Sequence, residues 1–304
     1  MNENYLNIMF VKSILYCFSV LGNLSYMIIF IYFLYQIKYG KNSFQNIGLG
    51  SIFMLLLNIS HLCSSITEIF LYFEFKKQKS IEDFSSNLSC KFCAFSRNYF
   101  ELTSVCCITI ISHLFYQSTK EIIFNSKTEI KKIINGILYS FFTPLLIIVP
   151  SFFKNKFSFV KTRCSYNEDF SIYHIIFTIF IIINVLFQLI FLYISFCFYS
   201  SKIKYIKESN QNQYNSLSIY IRIFFIFPIY LFISRILKLI NRFEKDNINY
   251  LYISEITFAL SGIIDSIISL ILIRSVFECC KTQDNEESDE SDEFQVLSQD
   301  SYNI

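Results

Sequence analysis

The sequence has no Trp, 3 Pro, 6 Gly and 3 His among 304 residues, and only 16% of its residues are charged. Each shortage excludes something. Soluble domains carry roughly a quarter charged residues, so a chain this poor in charge and 53% hydrophobic needs lipid to cover its apolar surface. His61, His113 and His174 are too scattered to suggest a metal site, and there is neither a glycine-rich phosphate loop nor a His-x-x-x-His pair. The reading is therefore of a chain with no metal, no cofactor and no catalysis. Nucleic-acid binding has no support either. Few Pro and Gly leave little to interrupt long helices. The absent Trp, set against 36 Phe and 21 Tyr, fits base-composition bias and carries no functional reading.

What is present is long apolar runs. A spanning helix needs about 20 mostly apolar residues, and seven segments qualify, at about 12–36, 46–73, 92–117, 132–153, 171–199, 217–240 and 250–274. A membrane barrel would instead alternate over strands of about ten residues. The expected fold is an all-α membrane protein, a seven-transmembrane helix bundle spanning 12–277. A short outside N-terminus over 1–11 precedes it and a disordered acidic cytoplasmic tail over 278–304 follows. The first eleven residues lack the basic start and cleavage site of a removable signal, so the first helix serves as its own insertion signal. No internal repeat of the kind found in duplicated transporters is evident.

Orientation is weakly written, because loop Lys and Arg divide almost evenly between the two sides. Three other features agree on N-terminus outside. One is the glycosylation sequon Asn87-Leu88-Ser89 between the second and third helices. Another is a candidate disulfide on the same side, between Cys90 just before the third helix and Cys164 in the fourth-to-fifth connection, with Cys93 as the competing partner. The last is the Cys279-Cys280 pair after the final helix, placed for palmitoylation beside the serine-rich acidic tail.

The third helix, CKFCAFSRNYFELTSVCCITIISHLFY, begins with a Cys and carries an aromatic and polar face to a hydrophobic-Tyr exit. The sixth has Phe227-Pro228 at its centre and Ser234-Arg235-Ile236 beyond, and the seventh has Leu260-Ser261-Gly262-Ile263-Ile264-Asp265. These stretches resemble the cyclic-AMP-receptor-like G-protein-coupled receptors, distant relatives of the secretin and adhesion receptors, with Asp265 where that family carries Asn. The resemblance spans about residues 10–280. Rhodopsin-like marks are missing: Ser112-His113-Leu114 stands where an acidic-Arg-Tyr triplet would follow the third helix. The resemblance implies a plasma-membrane receptor that signals to a heterotrimeric G protein, with Pro228 as an activation hinge in the sixth helix.

Ionisable residues inside membrane helices cost about 2.5 to 3.5 kcal/mol each on insertion scales and so mark function. Glu68, Arg97, Glu101, Arg235 and Glu255 fall at one depth, in the outer halves of their helices, and are expected to line a polar cavity open to the outside. A small ligand would bind there, and an anionic one would suit the two arginines. Arg97 and Glu101, four residues apart, are also placed to neutralise each other. Asn58, His61, Ser65 and Glu68 form a stripe on one face of the second helix, for which interhelical hydrogen bonding is the plainer reading. Asp265, deeper, is a candidate switch paired with Asn58 or Asn23, a cation site, or a neutral carboxyl. The competing reading of the same charges is a small-solute transporter or channel.

Overall fold

The computed structural model describes residues 3–39, 49–77, 87–121, 130–154, 157–160, 163–166 and 172–209, the positions Tyr230, Ile233 and Leu237, and residues 252–253, 255–257 and 259–271. These are nearly all helical. The helices are α1 (Glu3–Tyr39), α2 (Leu49–Lys77), α3 (Leu88–Glu121), α4 (Ile130–Phe153) and α5 (Ile172–Ser209), followed by a helical stretch over 259–271, here α6. A two-stranded antiparallel hairpin, β1 (Phe157–Val160) and β2 (Arg163–Tyr166), lies between α4 and α5.

Among the described residues, four helices are long and apolar enough to cross a membrane, with spans at Leu6–Tyr35, Ile52–Lys77, Ile134–Phe153 and Ile172–Phe198. Their faces are turned inside out relative to a soluble protein. On α1, Lys12, Ser13, Ser19 and Asn23 are buried, whereas Phe10, Ile14, Phe18, Leu21 and Ile28 are exposed. Lys12, Ser19 and Asn23 are seven and four residues apart and the exposed residues four, four, three and seven, so these occupy opposite faces of one helix with Ser13 at the edge between them. α5 repeats the pattern with Ile175, Ile179, Ile182, Leu186 and Ile190 outward and Asn184, Gln188 and Ser195 inward. A continuous apolar exterior of this extent marks a membrane-facing surface.

α3 has too many polar residues to register as apolar, and its position explains why. It packs against α2, α4, α5 and both strands, and every residue from Glu101 to Thr109 is buried. A helix surrounded by protein has no lipid to satisfy, so its composition is free to be polar.

α1 begins at Glu3, nine residues before the start expected from hydropathy, and the stretch 3–11 is therefore the first part of the helix instead of a separate N-terminal segment. Met9 is buried in the apolar packing at the hairpin end, inside an apolar run that itself begins at Leu6. α3 likewise begins at Leu88, so Cys90 lies within its first turn. Asn87 is the cap: its side-chain oxygen accepts the Ser89 amide at 3.1 Å, the bond preferred at helix starts.

The interior is layered. At the hairpin end, Met9, Leu71, Phe75, Ala94, Ile148, Phe157, Phe159, Tyr166 and Phe177 form one apolar cluster. At the other end Tyr26, Phe30, Phe53, Leu57, Ile108, Ile111 and Ile268 form a second. On α1 and α2 the buried polar residues fall between these clusters.

Close approach of α1 and α6 depends on two glycines. A methyl added at Gly262 would collide with Ser19 Oγ, and one at Gly22 with Ser266 Oγ. Ser19 cannot swing aside freely, because its hydroxyl bonds Ser65 Oγ at 2.9 Å and accepts from Asn23 Nδ2 at 3.2 Å. Gly262→Ala is expected to lower stability by about 1–3 kcal/mol, read as a fall in melting temperature in detergent, with Ser19→Ala alongside it restoring part of the loss. A neutral Gly262→Ala would refute the tight α1–α6 seam.

Candidate functional site

The site is built from four ionised side chains on separate elements. Lys12 of α1, Glu68 of α2, Arg97 of α3 and Glu255, a helical residue just before α6, are each at most 3% exposed. Lys12 Nζ lies 2.9 Å from Glu68 Oε2 and donates to Glu255 Oε2 at 3.1 Å. Arg97 Nε lies 2.8 Å from Glu68 Oε1, and its Nη2 lies 3.9 Å from Glu255 Oε2. Among the described residues, two cations and two carboxylates thus alternate in one network. Lys12 also lies 6.0 Å from the Tyr16 ring centroid, within cation–π range.

Charges are tolerated at this depth because they are paired. Glu68, Arg97 and Glu255, expected to line an outward-opening cavity, are buried and ion-paired with one another or with Lys12. With little water to solvate them, unlike charges gain most by contacting each other. The ion pairs of Arg97 run between helices, where spacing along α3 had suggested the i,i+4 neighbour Glu101. Glu101 is itself buried on α3 at 6% exposure. Arg235 and Pro228 lie outside the described residues, as do Cys279, Cys280 and the acidic tail.

Above the cluster sits the hairpin. Phe157, Phe159, Cys164 and Tyr166 alternate along the paired strands, with Phe157 opposite Tyr166 and Phe159 opposite Cys164, and all four are buried. A disulfide joins Cys164 to Cys90, with their Cα atoms 5.4 Å apart, and Cys93 is a buried free thiol. Both candidate cysteines are helical, so depth separates them: three residues turn only 60° short of a full circle but descend about 4.5 Å, carrying Cys93 away from the strand. Phe159 stacks on Phe75 of α2 with centroids 4.8 Å apart, and Tyr166 meets Phe177 of α5 at 5.6 Å. At the same end the exposed Lys154 lies over the Tyr173 ring at 5.7 Å, and its hydrogen bond to Tyr173 holds its amine above the ordinary lysine range.

A second polar group lies deeper, along α1, α2 and α6. His61 Nε2 is 2.6 Å from Asp265 Oδ2. Asn58 Nδ2 donates to Ser269 Oγ at 2.9 Å, and Asn23 Nδ2 reaches the Gly262 carbonyl at 3.5 Å. Asp265 therefore pairs with His61, where Asn58 or Asn23 had been expected; both asparagines hold α6 at flanking positions instead. A third group ties α3, α4 and α5: Gln188 Nε2 donates to Thr109 Oγ1 at 2.9 Å and to the Val105 carbonyl at 3.1 Å, and Tyr139 donates to Asn184 Oδ1 at 2.8 Å.

Sequence reasoning brought Glu68, Arg97 and Glu255 together but missed Lys12, which stood at the assumed boundary of the first helix. The signal was present: the apolar run begins at Leu6, which puts Lys12 well inside it. A search of protein-family models and of curated proteins found no match to the chain.

Proposed function

We propose that this chain is a seven-helix plasma-membrane receptor, N-terminus outside, that binds a small extracellular ligand and signals to a heterotrimeric G protein. The observation that carries this reading is the buried, ion-paired cluster of Lys12, Glu68, Arg97 and Glu255 beneath a disulfide-pinned hairpin. A disulfide needs an oxidising compartment, which supports placing the hairpin end outside. Seven spans are supported by the four apolar helices, the enclosed α3, the α6 stretch and the apolar run at 217–240.

Such a cluster is a two-state device. Closed, it draws α1, α2, α3 and the Glu255 segment together. A ligand carrying an anionic group, phosphate included, would replace a carboxylate on Arg97 or Lys12 and favour an arrangement in which the helices separate. A ligand shifts an equilibrium only by its differential affinity for the two states, and exchanging a carboxylate partner for ligand supplies that difference. Pro228 in the sixth helix would be the pivot and Asp265 a deeper switch. Asn87 as a glycan site and Cys279–Cys280 as palmitoylation sites suit this orientation.

The test is nucleotide exchange on heterotrimeric G protein in proteoliposomes holding the purified chain, challenged with a panel of small phosphate- and carboxylate-bearing compounds. The expected result is compound-dependent exchange that Arg97→Ala with Arg235→Ala abolishes; exchange unaffected by that pair would sink the proposed pocket. The second reading, a small-solute transporter or channel, draws on one observation: polar side chains continue from the cluster through Ser19, Ser65 and Asn23 to His61 and Asp265. Solute flux into the same vesicles without nucleotide exchange would favour it.

A further inference from the structure

The charged cluster is a chain of contacts with two ends, and its ends face each other. Three contacts are short: Arg97 Nε to Glu68 Oε1 at 2.8 Å, Glu68 Oε2 to Lys12 Nζ at 2.9 Å, and Lys12 Nζ to Glu255 Oε2 at 3.1 Å. The fourth, Arg97 Nη2 to Glu255 Oε2, is 3.9 Å, an ion pair beyond hydrogen-bond length. Among the described residues the order is therefore Arg97–Glu68–Lys12–Glu255, with a cation at one end and a carboxylate at the other. Lys12 is the inner cation, held by both carboxylates and within range of the Tyr16 ring. Arg97 offers a planar fork of donors whose Nε serves Glu68, a geometry that matches a carboxylate or phosphate.

We propose that the ligand of this site is a small zwitterion, with an ammonium and a carboxylate or phosphate a few bonds apart, inserted between Arg97 and Glu255. Its acid group takes the Arg97 fork and its ammonium takes Glu255. This rests on the reading of the cluster as a ligand pocket, and narrows the anionic ligand of that reading to one that brings its own cation. The selection is electrostatic. A lone anion adds a third negative group beside the two described cations, and a lone amine a third positive group beside the two described carboxylates; buried charge without a partner is penalised in either case. A zwitterion adds neither, because each of its charges meets an opposite end of the chain and all three short pairs persist. A short spacer suits the 3.9 Å contact, since it asks for the least separation of α3 from the segment carrying Glu255.

The layer toward the hairpin sets what else the ligand carries. One turn from Lys12, Glu68 and Arg97 on that side stand Met9, Leu71 and Ala94, and all three belong to the apolar cluster that includes Phe75, Phe159 and Tyr166. Three residues of helix are about 4.5 Å, so a substituent reaching past the charged layer enters apolar packing. An aliphatic substituent gains there by burial, whereas a third charge would be stranded. The favoured ligand is therefore a zwitterion with an apolar side group.

The experiment is thermal unfolding of the full chain in a non-ionic detergent at neutral pH and constant ionic strength. Glycine, leucine and phosphoethanolamine are each compared with the two halves of the same molecule, its acid without the amine and its amine without the acid. A saturating rise in melting temperature is expected with a zwitterion, as for any ligand bound only by the folded state. Its midpoint should lie at least about thirtyfold below that of either half, the factor for a buried charge left without its partner. A response to the amino acids or to phosphoethanolamine identifies the acid group as carboxylate or phosphate, and either supports the proposal. Leucine should act at lower concentration than aspartate or lysine; equal midpoints for these three would remove the apolar layer from the site. Glu255→Gln should erase the preference over the acid half, and Arg97→Gln the preference over the amine half. Each preference is a ratio within one variant, which a general loss of stability does not imitate. If an acid half alone matches its zwitterion, the site takes anions, and the zwitterion falls while the pocket stands. If no compound shifts the melting temperature, the cluster is a structural network and both fall. A zwitterion preference that survives both substitutions overturns the assignment to Arg97 and Glu255.

Discussion

Replacing Lys12 by Met lowers the stability of the protein by about 3–5 kcal/mol, the range for leaving a buried charge without its partner. The expected readout is a melting-temperature fall on the order of 10 °C in detergent. Met preserves most of the side-chain volume, so the loss is one of charge: among the described residues, Arg97 would be the cation left to face the two carboxylates. The geometry says which second substitution repairs it. Arg97 holds Glu68 at 2.8 Å but Glu255 only at 3.9 Å, so Glu255 is the carboxylate that depends on Lys12. Lys12→Met with Glu255→Gln retains the tight Arg97–Glu68 pair in a neutral site and should recover more than half of the loss. Lys12→Met with Glu68→Gln keeps only the longer contact and should recover less. Additive losses in the first double variant would show that the four residues do not act as a network.

The same network marks where reading the sequence succeeds and where it stops. Helices long and apolar enough to cross a membrane and the common level of Glu68, Arg97 and Glu255 were legible, because apolar run length and position along a run fix them directly. Pairing was not. Spacing along one helix reveals which residues share its face but says nothing of how neighbouring helices are rotated, so the pairing of Arg97 with Glu68 and of Asp265 with His61 could not be read from it. Lys12 was lost to a boundary error: with the first helix begun at residue 12, its charge looked like an ordinary end residue. The hairpin was missed because four-residue strands such as Phe157–Val160 are too short for alternation to stand out from an aromatic-rich background. α3 shows the reverse. Its polar content lowers its hydropathy, yet the Cys and the polar face that set it apart in the sequence belong to the helix at the centre of the bundle.

Breaking the Cys90–Cys164 bridge is the other large effect expected. The bond closes 74 residues, for which chain entropy alone gives about 4.4 kcal/mol. That figure treats the unfolded chain as a free coil, whereas helices α3 and α4 persisting in a membrane would restrict most of the loop, so about 2–4 kcal/mol is the better expectation for Cys90→Ser. The loss should also be local. β1 and β2 are too short to persist alone and are held otherwise by Phe157, Phe159 and Tyr166 against the helices. Freed of the bond, the hairpin should open well before the bundle does, uncovering Lys12, Glu68, Arg97 and Glu255 from the hairpin end. Amide hydrogen exchange checks this: residues 157–166 should lose protection in Cys90→Ser while Glu101–Thr109 of α3 keeps it. Cys93→Ser, which leaves the bridge intact, should change neither. Equal loss of protection across both segments in Cys90→Ser would instead mean that hairpin and bundle open as one unit, and that the charged cluster cannot be reached by moving the hairpin alone.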